Sequence, residues 1–200
     1  VNAVLGTVSG HILEATILNE RWESVARGHR TADRIKPRVF WNPDESNLNH
    51  RELRSLLAYW RKLRGDQPMP RQDKIDPLEM QDALGFLFLL DVLDGGADFR
   101  YRVYGSKVVD RYSVDMTGKL LSNLKVDPVF VDFFMAGYRA VIARRTPLLT
   151  QHCHSPYVAV TDTVRLILPL ANEQGDVSRI LVGNIPGEWR QPARLKPLQS

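Results

Sequence analysis

Only one cysteine, Cys153, occurs in 200 residues, so neither an internal disulfide nor a thiolate-rich metal cluster can form within one chain. Neither sign of charge dominates. The 27 Lys and Arg face 23 Asp and Glu, a formal net charge of +4 with both signs interspersed, which argues against a nucleic-acid-binding tail. Long uncharged runs are missing as well: the apolar start Val1 to Leu13 carries Gly6, Ser9 and Gly10, lacks a basic head, and falls short of the roughly 20 residues a spanning helix needs. No glycine-rich phosphate cradle, His-Glu-x-x-His helix or Gly-x-Ser-x-Gly elbow occurs. These absences are read as a cytoplasmic, non-enzymatic protein with no nucleic-acid or membrane partner. What is present, 44% hydrophobic and 25% charged positions, suffices for one sizeable core.

The pattern divides into a helical extension and linker over residues 1–80, a folded domain over 81–187, and a tail over 188–200. Ile12 to Ala26 carries a ragged apolar stripe at helical spacing, and His29 to Asn47, with Pro37 and Pro43, reads as a linker or a strand-like connection laid over a neighbour. A second helix follows. Asn49 and Glu52 are spaced as a capping box, Leu53, Leu56, Leu57, Trp60 and Leu63 share one side, and Gly65 is placed to stop it. That apolar side must be covered, by the sheet of its own chain or by a second copy. A homodimer through these five residues is therefore expected.

Beyond Met80 the period changes. Phe86 to Val92 and Phe99 to Tyr104 read as strands joined by a turn at Asp94-Gly95-Gly96, and alternation sets Phe99, Tyr101 and Val103 against Arg100, Arg102 and Tyr104. Asp127 and Pro128 signal the start of a long helix whose apolar side holds Phe130, Phe133, Phe134, Gly137, Tyr138 and Val141. Period two returns in Leu149 to Ser155, Thr163 to Leu170 and Ser178 to Ile185. The order predicts an α+β fold, a five-stranded antiparallel sheet covered on one face by helices, with an N-terminal helical extension.

Leu87-Phe88-Leu89-Leu90-Asp91-Val92, the run Asp98 to Ser106, and Gly118-Lys119 resemble PAS domains of the alphaproteobacterial type. In those, a Phe-Arg-Tyr-Arg strand leads into a glycine and a small hydroxyl residue. The resemblance spans residues 57–187 and includes Trp60. It implies a sheet cupping a pocket under short helices in a sensory or regulatory protein, with dimerisation through flanking helices and a regulatory protein partner to carry the output. No cofactor is implied: Cys153 sits in a strand rather than in the Asn-Cys-Arg-Phe motif of flavin-binding members, and the long helix has no histidine to hold haem.

The densest chemistry is His152-Cys153-His154. On a strand the two histidines face one way and the thiol the other, so the three cannot converge on one ion and no metal site is assigned. The histidines are either a satisfied pair or donors to an anionic ligand. Arg102, Arg165 and Tyr104 lie on strands, where they form a solvated face or recognise a carboxylate. Tyr112 and Tyr138, near or on the covering helices, either fill the core or close a pocket with a hydroxyl. The leading reading is a PAS-type sensor that binds a small molecule in this cavity and shifts the arrangement of the N-terminal helices. A ligand-free structural or dimerisation module is the alternative, and a small enzyme using the same cavity is the second alternative.

Overall fold

The computed structural model describes residues 38–126, 128–154 and 160–191; the expected helix from Ile12 to Ala26 and the Asp127 cap lie outside them. Nine regular elements are described: β1 (Arg38–Trp41), α1 (Arg51–Arg64), β2 (Leu87–Leu93), β3 (Asp98–Tyr104), α2 (Ser106–Tyr112), α3 (Pro128–Arg144), β4 (Leu148–Cys153), β5 (Asp162–Ala171) and β6 (Val177–Pro186). The strands form a single six-stranded sheet in the order β1-β4-β5-β6-β2-β3, and every neighbouring pair is antiparallel.

The sheet thus has one strand more than the five expected. The addition, β1, comes from the segment read as a linker or strand-like connection, and it pairs with β4 from Arg38 opposite Gln151 to Trp41 opposite Leu148. Four residues flanked by Pro37 and Pro43 are too short to show a period, which is why the pattern alone did not separate strand from linker. The capping box is also displaced. His50, not Asn49, is the N-cap of α1, and it makes no side-chain capping bond. Gly65 ends the helix as expected, at φ 53°.

β5 and β6, in the middle of the sheet, bury nearly every residue on both faces, which requires cover on both sides. α3 supplies one cover. Phe130, Phe133, Phe134, Tyr138 and Val141 are buried, and a Cβ on Gly137 would meet Ile167 and Leu148 at ordinary contact distance. Arg139 fastens the helix to the hairpin, donating from Nε to the Gly96 carbonyl (2.7 Å) and from Nη2 to that of Ala97 (3.0 Å).

α1 supplies the second cover, on the opposite face. Leu53 and Leu56 lie over Gly183 of β6 so closely that a Cβ there would stand 2.6 and 2.8 Å from their methyl groups. Trp60 donates from its indole N–H to the Pro169 carbonyl at 2.9 Å. Leu53, Leu56, Leu57 and Trp60 are buried within a single chain, joined by Tyr59, while Leu63 is half-buried at the margin. The apolar stripe is therefore used in cis. The homodimer expectation loses the surface that motivated it, and a glutamate at Leu56 or Trp60 would disturb folding rather than association.

A bulge in the edge strand redirects one side of the site. The register of β2 with β3 shifts between Leu89 and Leu90, so that Val103 pairs with Leu89 and Tyr101 with Leu90, leaving Arg102 as the extra residue. Alternation restarts there. Phe99, Tyr101 and Tyr104 end on the covered side, whereas Arg102 and Val103 are exposed, so the expected grouping of Tyr104 with Arg100 and Arg102 does not hold. The free edge of β3 is blunted by the following loop: Tyr101 donates to the Lys119 carbonyl (3.0 Å) and receives a bond from the Gly118 N–H (2.7 Å). Gly105, directly after β3, is required by space rather than by dihedral. A Cβ there would overlap the Gly85 backbone.

Candidate functional site

A cavity of about 1030 Å³ opens between the sheet and the segment that runs from Tyr112 to α3. Its floor is made by β2, β3, β5 and β6, which contribute Phe88, Tyr104, Thr163, Arg165 and Asn184. The walls are Tyr112, Met116, Leu124, Phe130 and Phe134, with Val114, Lys119, Lys125 and Val126 exposed at the mouth. Among the described lining residues there are three basic side chains, Lys119, Lys125 and Arg165, and no carboxylate. Asp115 lies beside Lys119 outside the lining, and hydrogen bonds from Thr117 hold its carboxyl below the usual carboxylate range.

Arg165 is the centre of this arrangement. Thr163, Arg165 and Ile167 alternate onto the cavity side of β5, and the neighbour of Arg165 on β6 is Asn184. Arg165 is 7% exposed; its Nε donates to Asn184 Oδ1 at 2.9 Å, and its Nη1 is buried with no hydrogen-bond partner. The guanidinium carbon stands 3.8 Å from the centre of the Phe134 ring and 6.0 Å from that of Phe88. The Tyr138 hydroxyl is buried close to both Arg165 and Tyr101, which pull against the rise in its pKa that burial causes. A buried guanidinium answered by an amide and two aromatic rings, but by no acid, is an unusual solution. Buried charges are normally paired.

The second polar group is a relay along one wall. The Tyr112 hydroxyl and His154 Nε2 both bond the Thr163 hydroxyl, at 2.8 and 2.7 Å. Burial, then the nearby Arg165 charge, depresses His154 to about 4 from its ordinary 6.5, while Asp162 opposes the shift and Arg190 adds to it. His152, deeper and packed among Phe130, Phe133 and Phe134, is held well below the usual histidine range by burial first and Arg165 second. Both imidazoles are neutral at pH near 7. Burial lifts the Tyr104 phenol to about 12.

This has a measurable consequence for stability. The unfolded chain takes up the His154 proton near 6.5 and the folded chain only near 4, so between these values the unfolded state binds more protons and stability rises with pH. The neutral ring's contribution is complete above 6.5 and is lost as pH falls through the folded value, about 3 kcal/mol in all. Urea unfolding between about pH 7 and about pH 4.5 is expected to show a steeper loss for the parent than for His154→Gln. Equal slopes would contradict the assignment.

Of the residues singled out from the sequence, Tyr104, Tyr112, His154 and Arg165 line one cavity. Tyr138 and His152 are buried behind its wall, in reach of Arg165's charge but outside the lining. Arg102 is elsewhere. It is exposed and pairs with Asp91 at 3.2 Å, which also accepts from Arg179 at 3.1 Å. Asn184, Thr163 and the two lysines were missed; the signal for Asn184 is a lone amide in the otherwise apolar run Val182-Gly183-Asn184-Ile185. Cys153 does not line the cavity. Among the described residues no cluster of three or more His, Cys, Asp or Glu could hold a metal, and no helix is long and apolar enough to cross a membrane.

No curated protein matches the sequence. Among solved structures, an RNA-binding light-oxygen-voltage receptor is similar at 15% identity and a TM-score of 0.40, over 58% of this chain and 36% of that one. The chain thus spans about a third of that receptor's length. The light state of the blue-light photoreceptor Aureochrome1 LOV is similar at 10% identity and a TM-score of 0.36, over 55% of this chain and 86% of that one. The model of the PAS domain matches residues 48–185, which include α1, the whole of β2 to β6 but its last residue, and every residue lining the cavity. The chain belongs to the PAS domain family.

Proposed function

We propose that this PAS domain is a sensory or regulatory module whose input is a small anionic ligand held in the cavity beneath α3. The observation that carries the reading is Arg165, buried on the cavity floor with Nη1 unpartnered and no carboxylate among the described lining residues. A guanidinium in such a place gains most from a ligand acid, because its fork matches two carboxylate oxygens and the low-polarity surroundings strengthen the pair. Met116, Leu124, Phe130 and Phe134 ask for an apolar ligand body behind that head. Among the described lining residues nothing arranges a nucleophile against a base: the His154 imidazole is engaged by the Thr163 hydroxyl, which also meets that of Tyr112.

The test uses acids and alcohols of matched skeleton, namely octanoate with 1-octanol and 2-naphthoate with 2-naphthalenemethanol. Calorimetric titration of the full chain is expected to show each acid binding at least about tenfold more tightly than its alcohol, the effect of one buried charge-assisted pair. If neither acid outbinds its alcohol, the anionic-ligand reading is wrong and the ligand-free module gains.

A further inference from the structure

Resting on that reading, we infer that the ligand is a long-chain acyl carboxylate of about 14 to 18 carbons, its acid group at Arg165 and its tail against the exposed valines of the mouth. The length follows from volume. At liquid density a methylene takes about the share of a water molecule, roughly 30 Å³, so an eight-carbon acid with its ten non-hydrogen atoms takes roughly 300 Å³. The cavity holds about 1030 Å³, at the upper end of ligand sites, and such an acid leaves most of it unfilled. Water is a poor filler there. Met116, Leu124, Phe130 and Phe134 offer it no polar partner, and a buried water needs about 2 to 4. An acid of about 16 carbons takes roughly 540 Å³, more than half of a space that is open at its mouth.

The bare hydrocarbon body follows from how the wall's polar atoms are used. Thr163 meets both the Tyr112 hydroxyl and His154 Nε2, and Asn184 Oδ1 accepts from Arg165 Nε, so these groups answer one another. Polar demand is left at the guanidinium, where Nη1 has no partner, and one acid group meets it. The course of the tail follows from the rim. Val114 and Val126 line the cavity yet are 42% and 46% exposed, which puts apolar surface where a chain leading out from the floor would emerge. A chain that reaches them removes that surface from water together with its own. A second acid at that end would gain little. Lys125 is exposed, Lys119 is exposed and donates from Nζ to the Asp115 carbonyl at 2.7 Å, and exposed ion pairs contribute weakly.

The experiment titrates the full chain with octanoate, dodecanoate and tetradecanoate, each below its aggregation concentration, by calorimetry. Each methylene that leaves water for the cavity is worth about fourfold in affinity, so tetradecanoate is expected to bind one-to-one and at least about a hundredfold more tightly than octanoate. In the double variant Val114→Asn/Val126→Asn that advantage should shrink at least about fivefold, while octanoate, which does not reach the mouth, stays within about twofold of the parent. Both positions are exposed, and circular dichroism confirms that the variant is folded. Tetradecanoate within threefold of octanoate, while octanoate still outbinds 1-octanol, overturns the long-chain inference and leaves the anionic pocket standing. Uptake of several equivalents, as an amphiphile adsorbing on the surface gives, overturns it too. An advantage that survives the double variant unchanged overturns the course of the tail. Binding by none of the acids overturns the inference together with the reading beneath it.

Discussion

Arg165→Met is expected to cost most of the proposed carboxylate affinity and to leave the ligand-free protein at least as stable as the parent. The first half follows from removing the one cation that the described residues place on the cavity floor: losing the charged partner of a buried acid costs on the order of 3 kcal/mol, about a hundredfold in affinity. The second half distinguishes a binding arginine from a structural one. A structural buried arginine is paired with an acid, and its removal strands that acid. Here the loss is one hydrogen bond, to Asn184 Oδ1, worth about 1 kcal/mol, together with the cation contacts on the Phe134 and Phe88 rings, against the desolvation of an unneutralised guanidinium, which methionine does not carry. Methionine also keeps apolar bulk against Phe134. Titration with 2-naphthoate and urea unfolding of the same sample decide both halves. Binding within threefold of the parent would remove Arg165 from the site, and a loss of more than about 2 kcal/mol in stability would make its role structural.

Trp60→Ala has the largest expected effect on stability, a loss of about 4 kcal/mol, with a fall in Tm of roughly 12 °C for a chain of this size. The indole is 1% exposed and is among the largest fully buried side chains of the described residues. Removing it opens a cavity between α1 and the sheet and leaves the Pro169 carbonyl without the 2.9 Å bond that it accepts. Trp60→Phe keeps most of the volume and loses only the bond, so about 1 to 2 kcal/mol is expected. Parallel urea titrations at two protein concentrations check this. Because the stripe is covered within one chain, the midpoints should not depend on concentration; a midpoint that rises with concentration would restore the second-copy cover.

The strands were legible where their period was clean and their length sufficient. Val164, Leu166, Leu168 and Leu170 read as one face and are the face under α1, and Phe130, Phe133 and Phe134 read as a buried helix side and are buried. The site was half legible for a physical reason. Alternation places Arg165 and Thr163 together because β5 is regular, but it misplaces Val103 and Tyr104 because one bulged residue, Arg102, inverts every side chain after it. No property of Arg102 itself announces the bulge. Asn184 was legible only once β6 was known to be covered on both faces, since a single amide in a strand is unremarkable when one side is wet. Which copy covers α1 was not in the pattern at all. A stripe of leucines has no address, and the missing side chain of Gly183, which supplies one, acquires meaning only when β6 lies beneath the helix.

The pleat of β5 and β6 places cavity and helix one peptide apart. Arg165 looks into the pocket and Leu166 into the opposite layer; Asn184 looks into the pocket and Gly183 supports Leu53 and Leu56. A main-chain displacement that repositions the guanidinium is shared by the adjoining leucine, without any long relay of side chains. The bare Cα of Gly183 leaves no slack in that transfer, so the leucine-bearing helix feels the floor of the cavity through the thickness of a single layer of backbone.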